Sequence, residues 1–429
     1  MQRRAAIAAL LAGSVPNLAQ WFNLYVYATF APYFRTEFFD PADENSLVWV
    51  YAVFALTFVV RPVGSWVFGR LADARGRQLA LASAVTLMSL GSLALAFAPT
   101  YAQLGAGAAV ILVAVSLVQG LATGGEYAAA TVLLSESGTA GRRGFFASFQ
   151  SVTIIGGLVL AQAGLLILLA VSDRAAVSTW GWRVAFAVAG VAGLATLWWA
   201  RGIPRTPRGR RAASGTLGVL LRDHWRPALW VFLLTAGGTI CFYTYTVTVP
   251  TIVRETFVTA HGDSGEVAAT ALVLIALVVL MLLQPLGGAL SDRIGRKPLL
   301  VAFGVGGILV SAPLLTGLAT TADAVPVLAM LIGGYVVLTC YQSVNGIAKA
   351  EVFPPEIRAL GVGFGYAIAN SLFGGTAPMA YHASVRAGGD AMFLVYLTAL
   401  VAVTLGAAIV MRGGAATALD DTPATASRG

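Results

Sequence analysis

Twelve apolar segments of about 20 residues recur along this chain of 429 residues, and that length allows each to cross a bilayer as a helix. The strands of an outer-membrane barrel are shorter and alternate apolar and polar residues over about 10 positions. The chain is 58% hydrophobic and 11% charged, which excludes a soluble domain of this length. We therefore predict an all-α integral membrane protein. The predicted segments are residues 7–33, 47–68, 79–98, 104–134, 145–170, 183–201, 227–252, 267–289, 299–319, 324–350, 359–384 and 391–411.

One loop sequence occurs twice. Residues 69–77 read GRLADARGR and residues 288–296 read GALSDRIGR, so five identical residues recur 219 positions later. An acid followed seven residues later by a base also recurs, at an offset of 215, as Glu136 with Arg143 and as Glu351 with Arg358. Two similar offsets of about half the chain predict a duplicated architecture of two six-helix bundles.

A Pro-, Gly- and Arg-rich stretch at residues 202–224 separates the two predicted bundles. It predicts a linker between an N-terminal bundle, residues 1–201, and a C-terminal bundle, residues 225–412. The small and polar tail, residues 413–429, is predicted to be disordered on the cytoplasmic side.

The basic residues predict the orientation. With an even number of helices, 20 of the 27 lysines and arginines fall on the side of the two termini and the repeated loops. Because basic residues concentrate in cytoplasmic loops, both termini are predicted to be cytoplasmic. The net charge of +8 then indicates topology and contact with anionic lipid, not nucleic-acid binding. Five arginines fall on the opposite side: Arg35, Arg174, Arg183, Arg254 and Arg386.

The pattern G-x-L-x-D-x-x-G-R between the second and third helices, with a degenerate copy after the eighth, resembles the signature of the major facilitator superfamily. Five segments resemble its metabolite:proton symporter family and, within it, the α-ketoglutarate permeases. They are RPVGSWVFGRLADARGR (61–77), QGLATGGEY (119–127), GRRGFFASFQSVTIIGG (141–157), CFYTYT (241–246) and KAEVFPPEIRALGVGFGYAIANSLFGG (349–375). The resemblance implies two six-helix bundles (the major facilitator fold), a central cavity, alternating access and proton-coupled uptake of a small carboxylate or zwitterion.

The charged residues around the repeated loops predict a cytoplasmic gate. Arg77 is placed to pair with Glu136, and Arg296 with Glu351. Such pairs can hold the halves together when the protein opens outward and break when it opens inward. Alternatively, they set only the conformation of the loops and the topology. The predicted gate residues are Asp73, Arg77, Glu136, Arg143, Asp292, Arg296, Glu351 and Arg358.

The first helix departs from the family pattern. Family members usually carry Glu-Trp-Phe/Tyr-Asp there, whereas this chain has QWFN, with Gln20 and Asn23 in place of the two acids. Ser116 occupies a position in the fourth helix where relatives commonly have arginine. Losing two acids and a base together indicates a coordinated neutralisation, because an unpaired charge inside the membrane is costly. The departure weakens the expectation of proton coupling through the first helix.

Three charged residues remain inside the predicted helices: Arg61, Glu126 and Lys349. Intramembrane ionisable groups are candidates for function because insertion penalises them. Arg61 is a candidate for substrate contact, or for snorkelling to the cytoplasmic surface. Lys349 shares a helical face with Asn345 and lines a cavity or pairs with Glu351. Glu126 is the proton-coupling candidate, with a fixed salt bridge as the alternative.

Uncharged polar residues complete the predicted substrate site. They can supply hydrogen bonds to a substrate, although each is also a candidate for an ordinary helix–helix contact. The predicted substrate-binding residues are Arg61, Lys349, Gln150, Tyr243, Asn345, Asn370, Gln20 and Asn23.

These features together predict a secondary transporter in a bacterial inner membrane that moves a small organic acid such as 2-oxoglutarate. An uncoupled facilitator or exchanger and a transporter-derived sensor are the alternatives. The three histidines lack metal-ligand spacing and no phosphate-binding G-x-x-x-x-G-K-[ST] occurs, so we expect no metal, no cofactor and no enzymatic activity. The expected partners are a small-molecule substrate, protons and membrane lipid, with the chain as a monomer.

Overall fold

The computed structural model describes residues 2–75, 77–124, 141–200, 217–354 and 357–411, together with Tyr127, Thr131 and Ser135. Within this part of the chain, every regular element is a helix. Nine helical spans among the described residues are long and apolar enough to cross a membrane. The remaining three long segments, α1, α3 and α11 below, pack against these nine.

Twelve helical segments follow the order of the predicted apolar segments. They are α1 (Gln2–Phe38), α2 (Ser46–Val59 and Arg61–Arg75), α3 (Arg77–Ala96), α4 (Gly107–Gly124), α5 (Arg143–Val171), α6 (Trp182–Ala200), α7 (Trp225–Tyr243, Thr244–Thr248 and Val249–His261), α8 (Asp263–Ile294), α9 (Arg296–Thr320), α10 (Ala324–Gln342 and Asn345–Ala350), α11 (Arg358–Ala369, Asn370–Gly374 and Ala377–Arg386) and α12 (Ala391–Val410). Short helices lie between them at Tyr101–Leu104, Arg174–Ala176, Val177–Gly181 and Leu217–Asp223.

The packing of the helices repeats after six. In the first half, α1 packs against α5 and α6, α2 against α4, and α3 against α4 and α6. In the second half, α7 packs against α11 and α12, α8 against α10, and α9 against α10 and α12. The seam between the halves follows the same rule, because α5 packs against α8 and α2 against α11. The duplication in the sequence is therefore a duplication of helix packing.

The molecule has two faces, which we name by their loops. The loop face is where α8 ends and α9 begins, around the repeated sequence 288–296. The far face is where α1 ends at Phe38 and α7 ends at His261.

Several helices differ in detail from the apolar segments. The helix α7 continues to His261, nine residues beyond the predicted end, because the apolar pattern fades before the helix does. Both α7 and α11 contain a π-helical stretch, Thr244–Thr248 and Asn370–Gly374. The predicted linker contains the helix Leu217–Asp223, in which Leu220 is buried. The predicted tail after residue 412 lies outside the described residues.

Candidate functional site

Two adjoining cavities lie on the seam between the halves. We name them by one lining residue each. The Arg61 cavity is lined by Asn17, Gln20, Trp21, Arg61, Thr123, Gly124, Tyr127, Gly363, Tyr366 and Ala367. The Tyr243 cavity is lined by Trp21, Tyr127, Ile154, Gly238, Thr239, Phe242, Tyr243, Tyr341, Gln342, Asn345 and Tyr366.

Three aromatic side chains are shared by the two cavities and form the wall between them. The rings of Tyr127 and Tyr366 are stacked, with centroids 3.5 Å apart, and they come from opposite halves. Trp21 in α1 is the third shared residue, and its indole nitrogen donates to Oδ1 of Asn17 at 2.8 Å. Each cavity has room for roughly one water molecule, so a larger guest requires the wall to move.

Arg61 is a buried cation from the first half. It is only 3% exposed, so its side chain does not snorkel to the loop face. Its Cζ lies 3.6 Å from the ring centroid of Phe58, a cation–π contact. Its Nε and Nη2 atoms are buried and have no hydrogen-bond partner among the described residues. Buried guanidinium donors without partners are costly, and they suit a planar carboxylate that accepts two bonds at once.

Glycines in α4 hold Arg61 in place. A Cβ on Gly120 would lie 2.3 Å from the carbonyl oxygen of Thr57, and a Cβ on Gly124 would lie 2.1 Å from that of Arg61. Only hydrogen fits at these positions, so the backbones of α2 and α4 come into direct contact. This contact fixes the α2 backbone at the start of Arg61–Arg75 and directs the guanidinium into the cavity.

Lys349 is a buried cation from the second half, with no exposed surface. Its Nζ donates to Oδ1 of Asn345 at 3.0 Å and to the hydroxyl of Tyr341 at 3.3 Å. Its Nζ also lies 4.9 Å from the ring centroid of Tyr366. These partners are all neutral. The sequence also allowed Lys349 to pair with Glu351. In the structure Arg296, not Lys349, donates to Glu351.

The two cations therefore approach one aromatic wall from opposite halves. Tyr366 lines the cavity that contains Arg61, and the same ring faces the Lys349 ammonium group. No carboxylate of a described residue lies within 4.0 Å of either cation. A desolvated positive charge is unfavourable unless a negative charge pairs with it. The arrangement favours a ligand with two anionic groups.

Four of the five predicted amides lie in different places around the two cavities. Gln20 lines the Arg61 cavity, and its Oε1 has no partner among the described residues. Asn345 lines the Tyr243 cavity and accepts a hydrogen bond from Tyr127 at 3.0 Å. Gln150 and Asn370 line neither cavity. Gln150 exchanges hydrogen bonds with Thr131, while Asn370 accepts from Thr239 and donates to Tyr366 at 3.2 Å.

Asn23, which the sequence places beside Gln20, faces helix contacts instead of the cavities. Its Nδ2 donates to the carbonyl oxygens of Ala19 at 2.8 Å and Ala189 at 3.0 Å. Its Oδ1 accepts from the hydroxyl of Ser92 at 2.6 Å. All of its hydrogen-bonding groups are thus used to pack α1 against α3 and α6.

Asp292 joins the halves at the loop face. One carboxylate oxygen accepts from the backbone N–H of Gly144 at 2.7 Å, and the other from that of Phe145 at 2.9 Å. Both N–H groups belong to the first turn of α5 and therefore lack partners inside the helix. A carboxylate there also interacts favourably with the helix dipole. Asp292 at the end of α8 therefore caps a helix of the other half.

Arg296 ties this cap to the second half. Its guanidinium lies 3.0 Å from Asp292 and 3.3 Å from Glu351, and it also donates to the carbonyl oxygen of Ser291 at 2.7 Å. The buried Arg358 donates to the carbonyl oxygens of Ala350 and Phe353.

The other copy of the gate is only partly described. Arg143 begins α5, immediately before the two residues capped by Asp292. The predicted Glu126 and Glu136 lie outside the described residues, and the side chains of Asp73 and Arg77 also lie outside them.

The far face is also closed by contacts between the halves. The hydroxyl of Tyr33 in α1 donates to Glu266 in α8 at 2.5 Å. Arg386 in α11 pairs with Glu44 at 2.8 Å. The rings of Tyr51 and His382 stack with centroids 5.3 Å apart. Since the halves touch at both faces and the two central cavities are small, the part of the chain that the structure describes is closed on both sides.

The sequence predicted Tyr243 as a site residue but not the other aromatic residues of the two cavities. Trp21 lies in the motif QWFN beside Gln20, and Tyr127 lies in the motif GGEY beside Glu126. Tyr341 and Tyr366 lie in α10 and α11, where an aromatic residue in an apolar helix is indistinguishable by composition from core. Their positions around the cavities depend on how helices from both halves pack together.

Comparison with known proteins agrees with this fold. The sequence profile of the Major Facilitator Superfamily matches residues 14–378. An alpha-ketoglutarate permease of Escherichia coli (strain K12) is 37% identical over 404 residues, which cover 93% of this chain and 92% of the relative. A citrate-proton symporter of Klebsiella pneumoniae is 30% identical, covering 90% and 87%.

A solved structure shares the fold. The xylose transporter XylE from E. coli, in a partially occluded inward-open conformation, matches with a TM-score of 0.71 at 18% identity, covering 94% of this chain and 96% of that chain. This match confirms the predicted fold of two six-helix bundles. The family profile and the relatives confirm the prediction that the protein is a multi-pass membrane transporter and not an enzyme. The chain belongs to the Major Facilitator Superfamily.

Proposed function

We propose that this protein moves a small dicarboxylate, such as 2-oxoglutarate, across the bacterial inner membrane together with protons. The observation that carries the proposal is the pair of buried cations, Arg61 and Lys349. They come from opposite halves, are 3% and 0% exposed, and have no carboxylate partner among the described residues. The names of relatives, an alpha-ketoglutarate permease and a citrate-proton symporter, point to the same chemical class.

In this proposal each cation binds one carboxylate of the substrate. Arg61 offers Nε and Nη2 as a fork for the first carboxylate. Lys349, held by Asn345 and Tyr341, offers a point charge to the second. Gln20 and Tyr243 line the cavities beside the cations and contribute neutral hydrogen bonds. Binding one dianion neutralises two buried charges from opposite halves and so favours closing the halves around the substrate.

Alternating access follows from the seam. The bundles 1–201 and 225–412, joined by the linker 202–224, rock about the central site. The Asp292 cap on α5 holds the loop face shut and must break for opening on that side. We assign the loop face to the cytoplasm because the basic residues lie there. The protein works as a monomer in contact with membrane lipid.

Proton coupling rests on the proton-symporter relatives, while the residue that carries the proton remains the sequence prediction Glu126. The first helix contributes no titratable group at Gln20 or Asn23. A proton carrier therefore has to lie elsewhere in the seam.

Uptake of labelled 2-oxoglutarate into proteoliposomes tests the proposal. We expect uptake that accumulates the acid above its outside concentration when the outside is made acidic. Collapse of the pH gradient should stop accumulation and leave exchange of labelled for unlabelled acid. A protein that exchanges the acid but never accumulates it is not proton-coupled. A protein that neither binds nor exchanges any dicarboxylate contradicts the proposal as a whole.

A further inference from the structure

Four of the five far-face arginines converge at the seam. Arg35 lies near the end of α1, Arg174 before α6, Arg254 in α7 and Arg386 at the end of α11. All four are within electrostatic reach of the Glu255 carboxylate. We call Arg35, Arg174, Arg254 and Arg386 the arginine cluster. Two of its members come from each half, and the central site does not use them.

Arg254 is the innermost member of the arginine cluster. It is 4% exposed, and its Nη1 donates to Oε1 of Gln162 in α5 at 3.5 Å. No carboxylate of a described residue lies within 4.0 Å of its guanidinium. A buried guanidinium held by one long bond to a neutral amide retains most of its capacity to bind a carboxylate.

The bond between Arg254 and Gln162 crosses the seam, so opening the far face breaks it. The same opening separates Tyr33 from Glu266. In this closed structure Glu266 also pairs with Arg174 of the first half, at 3.6 Å. Arg254 differs from these groups, because it is buried and its hydrogen-bond partner across the seam is the neutral amide of Gln162.

Exposure within the arginine cluster falls from the rim inward. The side chains of Arg174 and Arg386 are 41% and 44% exposed, whereas Arg254 is buried. Along α7, Arg254 lies 11 residues from Tyr243 of the central site, or roughly 16 Å at the helical rise. A five-carbon dicarboxylate is shorter than this separation along the helix axis. The two places are therefore separate stations on one path.

The charge of the far face opposes the approach of an anion, so a local group of cations there would help to bind it. Ten acidic residues lie on this face against five arginines, so an approaching anion meets a net negative surface. A local group of cations in a cleft between low-dielectric walls raises the concentration of an anion there.

We propose that Arg254, aided by Arg174 and Arg386, forms a second carboxylate site at the far face. A dicarboxylate binds there through one carboxylate before it moves inward to Arg61 and Lys349. This inference rests on the proposed function, and it adds a sidedness that the central site alone does not produce.

The test compares uptake from the two sides of oriented proteoliposomes with labelled 2-oxoglutarate. Arg254→Gln should raise KM for substrate added at the far face by about tenfold, the effect of losing one charge-assisted hydrogen bond. KM for substrate added at the loop face should stay within twofold of wild type. Arg61→Gln, in contrast, should raise KM from both sides.

Three further variants separate binding from gating and from net charge. Gln162→Ala breaks the seam contact but keeps the arginine, so the far-face KM should remain within twofold. Arg183→Gln removes a far-face charge that is bound to the carbonyl oxygens of Ala96 and Ala98, away from the cluster, and should also leave that KM unchanged. Arg254→Lys should restore part of the lost affinity.

An unchanged far-face KM in Arg254→Gln would overturn the second site, as would a Gln162→Ala variant that reproduces the same defect. If neither Arg254 variant reaches the membrane, Arg386→Gln decides, because Arg386 lies at the partly exposed rim of the arginine cluster. It should raise the far-face KM twofold to threefold, and no rise would overturn the inference. A wild-type protein that moves no dicarboxylate would instead refute the proposed function.

Discussion

Replacing Gly288 with alanine should open the loop face. A Cβ at Gly288 would lie 2.5 Å from the carbonyl oxygen of Gly144 and 2.8 Å from the Cβ of Ser148. Ordinary contact begins at 3.4 Å, so α5 and α8 must separate by about 0.9 Å to accept one methyl group. Separation of that size also lengthens the bonds from Gly144 and Phe145 to Asp292, which are now 2.7 and 2.9 Å.

The size of the effect follows from these contacts. Overpacking of a tight contact costs about 1–3 kcal/mol, and the weakened charge-assisted bonds add to it. The arrangement open at the loop face has no such contact and bears none of this cost. A net destabilisation of the closed face by about 2 kcal/mol shifts the population towards opening by roughly 30-fold.

Cysteine accessibility measures this shift. Ser151, buried in α5, donates to the carbonyl oxygen of Gln342 across the seam, so Ser151→Cys reports opening. In a background with Cys241→Ala and Cys340→Ala, a membrane-impermeant maleimide is applied from the loop face. Gly288→Ala should increase the labelling rate at least fivefold. Gly164→Ala is the matched control, since a Cβ there meets no atom within 4 Å. Equal labelling rates in the two variants would refute the close-contact reasoning.

Three further predictions concern the gate and the central site. Asp292→Asn removes the negative charge that caps α5, which loses about 1–2 kcal/mol of helix-terminal and ion-pair interaction. The labelling rate of Ser151→Cys should therefore rise about tenfold. An unchanged labelling rate would show that the cap does not hold the loop face closed. Arg61→Ala and Lys349→Ala should each abolish dicarboxylate uptake, measured with labelled substrate, and wild-type rates in either would remove that residue from the site. Gln20→Glu places a carboxylate in the Arg61 cavity, where it competes with the substrate for Arg61. Uptake should therefore fall more at pH 8 than at pH 6, because the carboxyl group is more often protonated at pH 6. A wild-type pH profile would argue against the position of Gln20 in this cavity.

The fold was largely predictable because a bilayer imposes helices of a minimum length. Hydropathy located the twelve segments, and the repeated loop placed the two halves. Hydropathy did not predict the π-helical stretch Thr244–Thr248, because inserting one residue into a helical turn changes neither length nor composition detectably. Hydropathy also ended α7 early, because the part containing Arg254 is more polar than the rest, although Arg254 itself is buried.

The site was predictable where charge was involved. Arg61 and Lys349 were identified because a charge inside an apolar segment is conspicuous, and Asn345 because it lies one turn from Lys349. The aromatic wall of Tyr127 and Tyr366 was not predicted, since stacking across the seam is a property of the assembled halves. Asn23 shows the reverse difficulty. An amide in an apolar helix looks like a substrate-binding residue whether it faces a cavity or, as here, bonds to its own helix and to two neighbouring helices.

The central claim is that two cations, one from each half, share one dianion. Its most direct test is calorimetric binding of 2-oxoglutarate and of 2-oxopentanoate, which has the same chain length but lacks the second carboxylate. The wild-type protein should bind the dicarboxylate about 30-fold more tightly, the worth of one charge-assisted pair. In Arg61→Gln or Lys349→Gln this preference should fall to threefold or less. Equal affinity of the wild type for both acids, or an undiminished preference in either variant, would contradict the account.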